Sequence, residues 1–315
     1  MDISIPIITP DWPEYELIDS GDSRKLERFG QYLIVRHEPK AWWRPALPEA
    51  EWAKAHASQD EEGRLTVRQD GKLPKAWPLR LDLPGGQSGN KQITLEARLS
   101  ETSRHIGLFP EQAPHWRLIA ELGAGMTAAT RETGEARPKL LNLFGYTGAA
   151  SLAAQASGFA ATHVDASRPA IAWAKRNQEL SGPANPGLAG HPVRFLLDDV
   201  VKFTQREVRR GNRYQAILLD PPSFGRGPNR EVWKVEGMVR DLLADCRTLL
   251  SDDARLLLLT MYNIEASALM LGNLLHDVLR GLPGTIQVGE LAVPHTAPGA
   301  EARLLPRSIY ARWQA

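Results

Sequence analysis

Beyond residue 138 the apolar residues fall into short unbroken runs, separated by longer stretches in which they recur every three or four positions. The runs at 140–143, 193–197, 214–219 and 255–261 read as strands, that at 214–219 buried on both faces. The periodic stretches read as helices over an Ala-rich segment ending at Gly158, then over 170–180, 200–210, 233–250 and 264–279. Pro169 suits the first turn of its helix, where a missing donor goes unnoticed. A short strand ends at Asp165, and two more, 285–291 and 307–313, come last. The order βαβαβαβαβαββ predicts an α/β fold, a doubly wound seven-stranded Rossmann-like sheet with an antiparallel last strand.

Residues 1–100 lack this long period. Short β-like pieces at 32–35, 65–67, 79–83 and 92–97 alternate with Pro, Gly and Asp turns around one helix at 49–57. This reads as a small β-rich domain with a possible role in substrate recognition, and a boundary near Leu99 divides the chain into 1–100 and 101–315. Within the first unit, Arg36, His37, Lys40 and Arg44 interleave with Trp42 and Trp43. The pattern suits a base-stacking platform or a Trp-rich core with snorkelling cations, and the core is preferred. The Gly-rich loop at 85–90 is expected to be a mobile hairpin tip. From 105 a turn-rich approach leads to a helix at 117–122, which Gly123 and Gly125 are expected to end.

Composition changes little in this picture. A chain of 315 residues, 43% hydrophobic and 24% charged, can bury a sizeable core. No apolar run approaches the length of a membrane span and no basic-then-apolar leader opens the chain, so a cytoplasmic protein, monomer or homodimer, without a membrane partner is expected. Cys246, the single cysteine, excludes an intrachain disulfide and a cysteine-based zinc cluster, and no metal is expected. A net charge of +1 excludes attachment to nucleic acid by bulk charge, so any such contact must be local.

The candidate chemistry lies at the strand ends. Residues 140–165 form a βαβ unit whose turn, Phe144-Gly145-Tyr146-Thr147-Gly148, lies where the first strand passes into the helix. Such a turn offers backbone amides to a ligand, and a carboxylate at the next strand end, here Asp165, suits a ribose diol. The turn lacks the G-x-G-x-x-G of nicotinamide binding, and its bulky Phe144 and Tyr146 leave little room for a pyrophosphate. S-adenosylmethionine carries a sulfonium and no phosphate, and suits a turn with amides, the Asn142 side chain and aromatic faces. Asp199 also ends a strand and suits the adenine amine, with the Val200 amide near the ring. A third strand ends in Asp220-Pro221-Pro222-Ser223-Phe224. Two prolines there stiffen a turn whose carbonyls project beside Asp220, and Phe224 is placed to stack on a flipped-out base. Displacement at a sulfonium needs approach and alignment more than a special general base.

These stretches, with 105–116 upstream, resemble the class I S-adenosylmethionine-dependent methyltransferases over about 103–313. The likeness is to the group containing the large-subunit ribosomal RNA methyltransferases that modify cytosine at carbon 5 or guanine at nitrogen 7. The resemblance implies that residues 144–148 line the methionine tail, and that Asp165 with Ala166, and Asp199 with Val200, hold ribose and adenine. It implies that Phe109 and Gln112 close over the cofactor, that 220–224 face the acceptor, and that the partner is RNA. Carbon-5 enzymes attack with a cysteine thiolate, and theirs follows the strand after the D-P-P turn, where this chain has Thr260-Met261-Tyr262-Asn263. Cys246 falls inside an amphipathic helix instead, so nitrogen methylation is preferred. A methyltransferase for small molecules or protein side chains, and a non-catalytic cofactor- or RNA-binding module, are the alternatives.

Overall fold

The computed structural model describes residues 2–3, 6–68, 73–85, 91–99, 105–134, 136–185, 190–262 and 264–315. Most of the loop expected at 85–90 and the junction at 100–104 lie outside them.

Two short strands come first, β1 (Asp2–Ile3) and β2 (Ile7–Ile8). A five-stranded sheet follows in the order β3 (Tyr15–Gly21), β4 (Arg24–Phe29), β5 (Tyr32–His37), β6 (Ala57–Gln59) and β7 (Leu65–Val67), with the short helix α1 (Glu49–Trp52) between β5 and β6. Next, β8 (Ala76–Leu83) and β9 (Lys91–Arg98) form an antiparallel hairpin. The helix expected at 49–57 is thus shorter, and its end becomes strand β6.

A helical turn at Pro110–Gln112 leads into α2 (Ala113–Thr133), which runs through both glycines expected to end it and stops where Gly134 turns left-handed. Gly123 is there for packing. A Cβ on it would come within 2.7 Å of the Ser157 Cβ, because α2 crosses the next helix closely at that point.

The remainder alternates as expected: β10 (Lys139–Leu143), α3 (Ala149–Ala156), β11 (Ala160–Asp165), α4 (Arg168–Ser181), β12 (Arg194–Leu197), α5 (Val200–Arg209) and β13 (Ala216–Leu219). After β13 a small hairpin, β14 (Phe224–Arg226) and β15 (Val232–Lys234), precedes α6 (Val235–Leu249), so the helix expected from 233 begins only once the hairpin closes. Then come β16 (Leu256–Met261), α7 (Ala268–Val278), β17 (Thr285–Pro294) and β18 (Leu304–Gln314).

The large sheet has the order β1-β17-β18-β16-β13-β10-β11-β12, with β2 also on β17. Only β18 runs antiparallel to its neighbours, as the sequence predicts, while β1 and β2 raise the strand number from the expected seven to nine. The unbroken apolar runs serve two cores by alternation. Leu140, Ala216, Leu218, Leu256 and Leu258 face a core shared with α2, α3, the β8–β9 hairpin and the small sheet. Leu141, Leu143, Ile217, Leu219, Leu257 and Leu259 face the core under α5, α6 and α7.

The open edge of β9 is paired by a helix. Thr94 N donates to Ser181 Oγ (2.9 Å), Glu96 N to Asn177 Oδ1 (2.8 Å), and Asn185 Nδ2 to Gln92 O (2.6 Å). Side chains from α4 and the turn after it thereby satisfy alternate residues of the strand, which keeps the hairpin from offering a bare edge.

Candidate active site

Strand order reverses at β10, with β11 on one side and β13 on the other, and ligands of open α/β sheets sit at the carboxyl edge of such a switch. A cavity with about 570 Å³ of empty space, part of it open to solvent, lies there. Its floor is the carboxyl half of the sheet, with Asn142, Leu218, Leu219, Asp220, Leu258 and Thr260. Its roof is the start of α2, with Phe109, Gln112, His115, Trp116 and Ile119. The turn Phe144, Gly145, Tyr146 and Thr147 forms one wall.

That wall is strained and braced. Phe144 and Tyr146 are left-handed (φ 58° and 51°), which costs non-glycine residues roughly 1–2 kcal/mol each and persists only where surroundings impose it. The bracing is visible: Tyr146 N donates to Asp165 Oδ2 (2.8 Å), Gly145 N to Val164 O (3.1 Å), Thr147 Oγ1 to Gly107 O (2.6 Å), and Asn177 Nδ2 to Thr147 O (2.9 Å). Gly145 has no room for a side chain, since a Cβ would stand 2.5 Å from His163 Nδ1. Burial holds that imidazole down to about 3, and Ser151 Oγ links it to Asn142 Nδ2. Gly148 starts α3 with φ 88°.

An aromatic group closes the mouth. The Phe109 ring lies 5.5 Å from Tyr146, 5.8 Å from Tyr262 and 5.1 Å from His105. Faces of such rings attract cations, a sulfonium included.

The three strand-end acids have different surroundings. Asp220 borders the cavity, and its Oδ1 is sealed from solvent with no hydrogen-bond partner among the described residues. Burial, helped by the charge of Glu111, raises its carboxyl to about 7. Asp165 uses both oxygens on the turn, accepting from Tyr146 N and from Ser167 N (2.7 Å). Asp199 caps α5 by accepting from Lys202 N (2.9 Å), and its other oxygen lies beneath Gly227 of the β14–β15 hairpin. Asp165, Ala166, Asp199, Val200 and Gly148 stand outside the cavity lining. Pro221 is buried, Pro222 O accepts from Trp233 Nε1 (2.7 Å), and Phe224 begins β14 with half its surface exposed.

His115, Trp116, Thr260 and Tyr262 reach the site without having been singled out as site residues. His115 is buried and neutral, held down to about 3, with Nδ1 3.1 Å from Gln112 Oε1. Trp173 packs over Gly107, where φ is +99° and a Cβ would stand 2.8 Å from Trp173 Cε2. No local signal marks these contacts, which only the packing of α2 and α4 creates. Cys246 is fully buried in α6 and its thiol is pushed up by desolvation, so it is no thiolate nucleophile. Among the described residues no group of His, Cys, Asp or Glu is placed to hold a metal ion, and no helix is long and apolar enough to cross a membrane.

No protein-family model matches the chain. Over 225 residues it is 37% identical to the ribosomal RNA large subunit methyltransferase K/L of Hahella chejuensis, covering 67% of this chain and 30% of that protein. Over 209 residues it is 32% identical to the ribosomal RNA large subunit methyltransferase K of Neisseria meningitidis serogroup B, covering 65% of this chain and 53% of that one. The chain therefore spans about half or less of the length of these relatives. A crystal structure of a SAM-dependent methyltransferase from Agrobacterium tumefaciens is 38% identical and superposes with a TM-score of 0.87, covering 99% of this chain and 94% of that one. The cavity at the strand switch, its aromatic lid and an agreement that runs nearly end to end lead to one conclusion: the chain belongs to the S-adenosylmethionine-dependent methyltransferases.

Proposed function

We propose that the protein methylates a ring nitrogen of a base in large-subunit ribosomal RNA. The observation that carries the reading is the unpartnered, buried Oδ1 of Asp220 at the strand end that opens into the cavity. Related chains named for ribosomal RNA methylation point to the same substrate class.

When bound, S-adenosylmethionine supplies an electrophilic methyl group on a sulfonium. The strained turn from Phe144 through Gly148, with Asn142 behind it, holds the methionine end, and Phe109 and Gln112 cover it. Asp165 with Ala166 takes the ribose, and Asp199 with Val200 the adenine. A carboxylate whose two oxygens already accept backbone amides still has lone pairs for hydroxyl donors. Pro221 and Pro222 stiffen the ledge on which the acceptor base rests, and Phe224 stacks against the base. A ring nitrogen attacks with a lone pair already free, so alignment suffices and no general base is needed. The positive charge left on the base is met by the Asp220 carboxylate. Carbon-5 methylation is disfavoured because Thr260, Met261 and Tyr262 stand where a cysteine would be needed.

The test offers methyl-labelled cofactor with three acceptors: large-subunit ribosomal RNA from a strain deleted for the gene, total protein, and small-molecule extract. Label is expected in the RNA, with mass spectrometry of the digest placing it on a ring nitrogen. Label confined to protein or metabolites, or a methyl on carbon 5, overturns the proposal.

A further inference from the structure

Trp42 is 88% exposed, the most exposed of the large hydrophobic side chains described, in a chain whose other tryptophans pack into cores or against neighbours. The exposure is built into the fold. On either side of it the loop is stapled to the β3–β4 turn: Ser23 N donates to Ala41 O (2.9 Å), Asp22 N to Trp43 O (2.8 Å), and Trp43 Nε1 to Ser20 O (2.8 Å). Ala41 is fully buried, so the backbone cannot roll Trp42 inward without pulling Ala41 out. The indole is fixed in turn, with Nε1 donating to Pro39 O at 2.7 Å. The indole is thereby presented to solvent on a braced mount, with the exposed cations Lys40 and Arg44 beside it in the chain. Glu38, the acid of this loop, is spent on Lys25 and Arg307.

The mount also stands on the ligand side of the large sheet. Lys40 Nζ donates to Arg307 O (2.6 Å), and Arg303 Nη1 to Arg44 O (2.9 Å), so the loop rests on the start of β18 and the residue before it. The start of β18 lies beside the carboxyl end of β16, with Ile309 opposite Met261. Arg307 continues inward to Glu111 (3.4 Å), the neighbour of Gln112 in the cavity roof.

We infer that Trp42 is a stacking platform for an unpaired base of the RNA substrate, with Lys40 and Arg44 meeting the adjoining phosphates. This rests on the RNA reading above and extends it from the methylated base to a neighbouring nucleotide. A planar π-face flanked by cations matches single-stranded RNA, because every base stacks and every linkage carries a negative charge. Trp43 takes the other role open to this segment: it is half-buried, against His295.

The experiment compares Trp42→Ala, Trp42→Phe and the unaltered protein on large-subunit ribosomal RNA, and on a short oligoribonucleotide presented single-stranded or as a duplex. Trp42→Ala is expected to raise KM for RNA about tenfold with kcat and cofactor affinity kept, and to weaken the single strand but not the duplex. Trp42→Phe should restore most of the loss. Arg44→Ala should lower the salt dependence of RNA binding by about one counterion. Equal KM and single-strand affinity in Trp42→Ala, on a protein that does methylate RNA, overturns the platform and leaves the methylation reading standing. If the unaltered protein labels no RNA, the methylation reading itself fails. A Trp42→Ala effect confined to self-association or to a protein partner overturns the platform as well.

Discussion

Asp220 is the residue at which stability and chemistry pull apart. Its carboxyl, ordinarily near 3.8, is raised to about 7 by burial, so between those values the folded protein keeps a proton that the unfolded chain releases. The contribution to stability is complete at low pH and lost as pH rises through 7, leaving a buried charge without a partner above it. Asp220→Asn, uncharged throughout, is therefore expected to melt several degrees above the unaltered protein at pH 8, with the gap closing near pH 4. Its methyl transfer should fall at pH 8, where the unaltered protein has the carboxylate that the variant lacks. Thermal scans without cofactor check this, and a gap independent of pH would trace the effect to something other than the charge. Asp220 and its prolines are conspicuous in the sequence because they interrupt an apolar run. The same cannot be said of the Asp165 bond to Tyr146 N, of His115 and Thr260 in the cavity lining, or of Tyr262 against Phe109. Those relations are made by elements distant in the chain, and a strand-end acid looks alike whether it binds a ligand, ties down a turn or caps a helix, as Asp199 does.

Helix α2 shows how one residue type carries opposite meanings within a single element. Gly123 lies against Ser157 and Phe159, and Gly125 has nothing within 4 Å of where a Cβ would be. Gly125→Ala is expected to stabilise the protein by about 1 kcal/mol through helix propensity. Gly123→Ala should lose that gain and destabilise by about 1–3 kcal/mol through overpacking against α3 and the residues after it. Urea titrations of the pair give opposite signs if the crossing is as close as described. Seven strands of the large sheet were legible because each is long enough, and apolar enough, to be read without its partners, whereas β1 and β2 are two residues each and were not. Strands β3 and β4 were not. Lys25 and Glu27 on β4 point inward and are buried as ion pairs, so the alternation that marks a strand is written there in charged residues that mimic a solvated surface. The β14–β15 hairpin was hidden because its strands are short and lie between polar and glycine residues.

Across the molecule, the small sheet and the cavity are joined by charge. Lys25, Arg36 and Arg307 interlock with Glu27, Glu38 and Glu111, and burial with its like-charged neighbours lowers Lys25 to about 8. Breaking such a network costs more than forming it yields, because the remaining charges are stranded. Arg307→Met is expected to lower stability by about 3 kcal/mol at pH 7.5. The deficit should shrink at pH 5, where the Glu38 carboxyl, no longer held down by the Arg307 charge, takes up a proton in the folded state. Urea unfolding at the two pH values measures this, and cofactor affinity should fall with it, since Glu111 adjoins the roof. The parallel pairing of β1 and β2 with β17 has a consequence of another kind. Thr9 N reaches across the sequence to Ala292 O (2.9 Å), so the two sides of this seam stand 283 positions apart in the chain. Pairing over so long a separation must await the closure of a very large loop, which makes the seam a late and slow step of folding, and the place where a chaperone has most to shield.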